Sequence, residues 1–157
     1  MTAGSGEATS RPSGAPRSLT SERIESYLLG CGYHVDRDED GDLTGTWDGN
    51  RFWFLTLGDE HEILQVRGRW QQTLPESQRT AALLVVNDWN RERIWPKTYL
   101  RVEDDVVVMY GEVSTDLEHG VTDSQLGQLV SCGLGTSAQL FAALVDLLPG
   151  EGPSAPH

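Results

Sequence analysis

The chain has 157 residues and a formal net charge of −12. That length suits one domain, and the acidic balance repels phosphate backbones, which excludes a general nucleic-acid binder. No continuous apolar run approaches the ~20 residues needed to cross a bilayer, so no membrane-spanning segment is expected.

The opening stretch MTAGSGEATSRPSGAPRS is small, polar and rich in Pro and Gly, and it has no apolar signal core. Residues 1–18 are therefore expected to be a disordered tail, and the protein cytoplasmic. A second disordered tail is expected over 149–157, leaving a single domain over 19–148.

A helix is predicted from about Ser21 to Cys31, with Thr20 as its cap and Glu22 favoured by the helix dipole. Leu19 and Ile24 can staple its entry, and Ile24, Tyr27, Leu28 and Cys31 keep the spacing of one buried face. A meander of short strands follows: Tyr33 to Asp36, Leu43 to Trp47, Phe52 to Leu57, and Ile63 to Trp70. Asp48-Gly49 between the second and third is a strong hairpin signal, because both residues tolerate the positive φ of primed turns. In the fourth strand Leu64, Val66, Gly68 and Trp70 alternate with Gln65, Arg67 and Arg69, which puts the two sets on opposite faces.

A second helix is predicted over about Leu74 to Arg93, opened by a capping box at Thr73-Leu74-Pro75-Glu76 and ended before Pro96. Its run Ala81 to Val86 is apolar all round, which predicts burial on more than one side. Thr98 to Val102 and Val106 to Val113 read as two more strands around an acidic turn. A last helix starts at the capping box Thr122-Asp123-Ser124-Gln125 and stops at Pro149. The order α-β-β-β(-β)-α-β-β-α implies an α+β domain, with a single antiparallel sheet and the helices gathered on it.

Motifs for chemistry are weak. In DRDEDGDLTGTW, Asp36, Asp38, Asp40 and Gly41 fall at calcium-loop positions, but the position that needs a bidentate Glu holds Trp47 and the flanks read as strands. An acidic hairpin turn is the better reading. No His pair has ligand spacing, and Cys31 and Cys132 are expected to be buried reduced thiols on helix faces. Gly133-Leu134-Gly135 lacks the Lys-Ser/Thr of a phosphate loop. Gly127, Ser131 and Gly135 are instead expected to line a ridge where another backbone, this chain's or a second subunit's, packs closely.

The stretch from Gln65 to Arg101 stands apart, with three tryptophans (Trp70, Trp89, Trp95) and seven cations against three acids. Arg and Trp dominate interface hot spots, so Arg67, Arg69, Arg93, Trp95 and Lys97 are the candidate partner-binding residues. The alternative is that these arginines pair with acids inside the domain and that the tryptophans are core.

The stretches GDLTGTWDGNRFWFLTLGDEHEILQVRGRW, LPESQRTAALLVVNDWNRERIWPKTYL and VVVMYGEVSTDLEHGVTDSQL together resemble the YbjN-like domain family of bacterial sensory-transduction regulators. The likeness runs from about Leu19 to Leu148. It is most specific at Trp47-Asp48-Gly49 with Phe52 and Phe54, at Asn87 and Asn90, and at Trp95-Pro96-Lys97, and it has the look of the actinobacterial members. The family is similar in fold to the type III secretion chaperones, whose element order agrees with the one read here. The resemblance implies a non-enzymatic cytoplasmic protein, able to form a homodimer, that acts through protein partners. It supplies no catalytic, cofactor-binding or metal-binding residue. The expected function is thus a regulatory adaptor that binds another polypeptide; the alternatives are a dimeric chaperone-like holdase for a partly unfolded client and a small enzyme.

Overall fold

The structure, a computed structural model, describes residues 15–149. The two expected tails therefore lie mostly outside the described residues. Within them the domain begins earlier than residue 19: Arg17 bridges to Val121 through backbone bonds of 3.1 and 2.8 Å. Its side chain and that of Arg23 both reach Asp123 at 2.8 Å.

Helix α1 spans Ser21–Gly30, capped by Thr20, whose Oγ1 accepts from the Arg23 N–H at 3.2 Å. Strands β1 (Asp36–Arg37), β2 (Leu43–Trp47), β3 (Asn50–Leu57) and β4 (Ile63–Pro75) follow. A 3-10 turn at Glu76–Gln78 leads into α2 (Arg79–Glu92); β5 (Lys97–Glu103), β6 (Val106–Asp116) and α3 (Asp123–Leu147) complete the described residues. All six strands join one antiparallel sheet in the order β1-β2-β3-β4-β6-β5. The fold is the α+β arrangement expected, with four strands before α2.

The tight turns form as their residues dictate. Asp48 and Gly49 take φ of 53° and 80°, and Asp104 and Asp105 take 51° and 65°, the left-handed values of primed hairpins. The Thr122 capping box is complete, with Gln125 N–H donating to Thr122 Oγ1 and the Gln125 side chain accepting from the Thr122 N–H.

Four local expectations are corrected. The first strand is only Asp36–Arg37. The Thr73 capping box does not form, because β4 bulges between Arg69 and Thr73 and continues, laying Leu74 opposite Val107 in the core; burial of one leucine outweighs a cap. Helix α2 is covered on one side only, with Ala82 and Trp89 buried but Leu83 and Leu84 exposed, because it packs at the β5 edge of the sheet. Cys31 is exposed, since α1 ends at Gly30 and leaves it past the last turn; Cys132 is half-buried.

All three helices pack on one face of the sheet, around Leu43, Phe52, Phe54, Leu64, Val66 and Met109. Helix α3 is the centre of this layer. Its 25 residues, with mean hydropathy 1.3 over their most apolar stretch, are long and apolar enough to span a bilayer. Its buried positions from Leu126 to Leu144 instead face the sheet and α1. Glycine lets it come close: a Cβ on Gly133 would lie 2.6 Å from the Val66 Cβ, and one on Gly68 would lie 2.8 Å from the Phe141 ring. The expected ridge is only partly used. Gly127 meets Tyr27 of α1, and Ser131 Oγ shares a 2.7 Å hydrogen bond with the Tyr27 hydroxyl. Gly135 is exposed with open space around it.

Two glycines in one helix thus give opposite expectations. Gly133→Ala should cost about 1–3 kcal/mol by overpacking against Val66, whereas Gly135→Ala should add about 1 kcal/mol from helix propensity alone. Urea unfolding of the two variants checks this; equal effects would contradict the close packing of α3.

Candidate functional site: the helix-free face of the sheet

With the helices on one face, the alternation of the strands sends the other set of side chains to a face that no helix covers among the described residues. Register organises it into rows. Asp36, Thr44, Trp53, Arg67, Glu112 and Lys97 are cross-strand partners in turn from β1 to β5. The next row is Thr46, Arg51, Arg69, Tyr110 and Tyr99.

Glu112 is the hub of the first row, its side chain only 7% exposed. Arg67 Nε donates to its Oε2 at 3.1 Å, the Tyr99 hydroxyl donates to the same oxygen at 3.1 Å, and Lys97 Nζ lies 2.8 Å from Oε1. Arg67 also donates to Gln65 Oε1 at 2.7 Å, and Gln65 in turn donates to Ser114. Burial alone would raise the Glu112 carboxyl, but the hydrogen bonds and charges of Lys97 and Arg67 outweigh it and hold the group below its ordinary value. Burial and the Glu112 carboxylate push the Tyr99 phenol up to about 12. Burial and a 2.8 Å bond to Glu103 raise Tyr110 as well. The two rings stack with centroids 5.3 Å apart. Both phenols therefore keep their protons near neutral pH, and the only buried carboxylate among them is already held. The face offers cations, aromatic surface and fixed donors, which is the chemistry of recognition.

The residues singled out in the sequence do not form one surface. Arg67, Arg69 and Lys97 share the open face, and Arg67 and Lys97 are paired within the domain through Glu112. Arg93 stacks over the Trp89 ring at 4.3 Å, beside the groove between α2 and the end of α3. Trp95 is 53% exposed and lines a separate cavity of about 500 Å³ on the helix side, with Val113, Leu117, Leu129 and Cys132. The chain leaves the helix layer after Trp95 and reaches the open face at Lys97, so the two groups diverge there.

Sequence reasoning missed Arg51, Trp53, Tyr99, Tyr110 and Glu112. Alternation along each strand was a usable signal for their facing, but which strands are neighbours was not. The acidic loop is a hairpin turn, as read: Asp38 Oδ1 accepts from the N–H groups of Asp40 and Asp42 at 3.0 and 2.9 Å, between β1 and β2.

Comparison with known proteins agrees with this architecture. A family model for YbjN, "Putative bacterial sensory transduction regulator", matches residues 20–146. The chain belongs to the YbjN family. The crystal structure of YbjN from E. coli is similar with a TM-score of 0.71 at 14% identity, over 84% of this chain and 95% of that one. A protein from Methanothermobacter thermautotrophicus gives a TM-score of 0.49 at 12% identity, over 82% and 98%. At 14% identity the likeness to YbjN from E. coli is one of fold. No curated protein matches the sequence. One of the YbjN motif residues, Asn90, and the neighbouring Trp89 have structural roles. Asn90 clamps Thr98 with two bonds of 3.0 and 3.1 Å, and Trp89 Nε1 donates to the Pro96 carbonyl at 3.2 Å, which ties α2 to β5.

The Glu112 hub makes a pH-dependent contribution. Because its folded pKa is depressed, the contribution is complete above the ordinary value of 4.5 and is lost as pH falls through the lower folded value. Glu112→Gln should cost about 2 kcal/mol at neutral pH, and the gap to the parent should close as the solution is acidified below that range. Urea unfolding across pH reads it; a gap independent of pH would contradict the ion-paired hub.

Proposed function

We propose that this YbjN-family protein is a non-enzymatic regulatory adaptor of the cytoplasm, and that it binds another polypeptide on the helix-free face of its sheet. The observation that supports this reading is the one-sidedness of the sheet. One face is committed to the core, while the other carries Arg67, Arg69, Tyr99 and half-exposed Trp53 on rigid strands. A surface pre-organised by a buried ion cluster loses little side-chain entropy on binding. Family membership supports a regulatory role and adds no catalytic residue.

A second reading, a chaperone-like holdase for a partly unfolded client, draws on another surface. Ile94, 80% exposed, follows the end of α2 and precedes Trp95 of the helix-side cavity, and Leu84, 63% exposed, lies in the body of α2. Such a band suits extended apolar segments.

The two readings separate on two tryptophans. A partner captured from native lysate, identified and re-tested as a purified pair, should bind Trp53→Ser about tenfold or more weakly, as hot-spot loss implies. Trp95→Ser should bind it normally. Loss through Trp95 alone, with unrelated partly folded proteins captured, would replace the adaptor by the holdase.

A further inference from the structure

The second row of the open face is charged differently from the first. Arg51 and Arg69 are direct cross-strand partners, flanked by Thr46 on one side and by Tyr110 and Tyr99 on the other. The row holds two neighbouring cations and no carboxylate. Like charges directly opposite each other on adjacent strands destabilise a sheet. The first row shows that the fold can supply a counter-charge, since Glu112 is placed between Arg67 and Lys97. Among the described residues neither Arg51 nor Arg69 has an ion-pair partner. Arg51 reaches only Thr44 Oγ1 at 3.5 Å and lies 5.5 Å from the Trp53 ring centroid. The neighbouring phenols are engaged, Tyr110 with Glu103 and Tyr99 with Glu112.

We propose that Arg51 and Arg69 receive side-chain carboxylates from an acidic segment of the partner polypeptide, laid across β3 and β4 beside Trp53. This rests on the reading of the open face as the partner surface and specifies the partner's chemistry. Charge complementarity selects the occupant. A second copy of this chain, joined face to face with its two-fold axis through the pair, would set one arginine pair against another. A nucleic-acid backbone continuing across the face would meet Glu103 and Glu112 on the sheet, on a chain of net charge −12. A short peptide with alternate acidic residues needs only the arginine pair, and carboxylate–guanidinium bonds are the strong, directed kind.

Fluorescence anisotropy at low salt tests this with three probes: a labelled peptide of alternating Glu and Val, its Gln-for-Glu counterpart, and a single-stranded oligothymidylate. The parent should bind the Glu peptide about tenfold or more tightly than the Gln peptide, and added salt should weaken the binding. Arg51→Thr/Arg69→Thr, which keeps strand propensity, should lose that preference while melting no lower than the parent. Equal binding of both peptides would overturn the acidic assignment and leave the polypeptide-binding reading standing. Preference for the oligothymidylate would overturn both. Glu-peptide binding unchanged in the double variant, or absent from the parent, would overturn the role of the arginine pair, and the Trp53 and Trp95 variants would then judge the adaptor reading by themselves.

Discussion

The close approach of α3 to the sheet is the constraint from which the rest of the structure follows. At Gly133 and Gly68 there is no room for a Cβ, and a Cβ on Gly111 would lie 2.8 Å from the Leu140 side chain. Three positions without side chains on facing elements let one long helix bury Val130, Leu140, Phe141 and Leu144 directly against the strands. At roughly 25 cal/mol per Å² of apolar surface removed from water, that contact outweighs the helix propensity lost at Gly133. Helix α1 then packs on α3, and α2 is left with the β5 edge, where only one of its sides finds cover.

Commitment of one face to helices dictates the character of the other. Strand alternation must put something there, and here it puts charge in cross-strand register. A carboxylate as buried as Glu112 is tolerable only when fully paired, and Arg67, Lys97 and Tyr99 supply the partners. The hub stiffens β4, β5 and β6 across the middle of the face. It also explains why Arg67, a natural choice for mutation, is a poor probe of binding: removing it strips a buried carboxylate of a partner. Arg69 and Trp53 carry no such duty.

Local chemistry was legible in the sequence wherever it was decided locally. The Asp48-Gly49 turn, the Thr122 capping box, the stop at Pro149 and the split of Leu64, Val66, Gly68 and Trp70 from Gln65, Arg67 and Arg69 each depend on a few neighbouring residues. What was not legible depends on distant partners. Leu74 has the local pattern of a helix start, but its pairing with Val107 keeps it in β4. Arg93 and Trp95 looked continuous with Arg67 because they are near in sequence, yet the chain crosses from the helix layer to the open face between Trp95 and Lys97. Glu112 sits inside the run VVVMYGEV and reads as an interruption; only the β4–β6–β5 pairing makes it a hub.

The central claim is that the open face, and not the helix layer, meets the partner. The five tryptophans divide between these surfaces: Trp53 is on the open face, Trp47, Trp70 and Trp89 are packed in or against the core, and Trp95 is on the helix side. Fluorine NMR of protein labelled with 5-fluorotryptophan, titrated with its purified partner, reads all five at once. The account predicts that the Trp53 resonance shifts while that of Trp95 stays. A shift of Trp95 with Trp53 unmoved would contradict it.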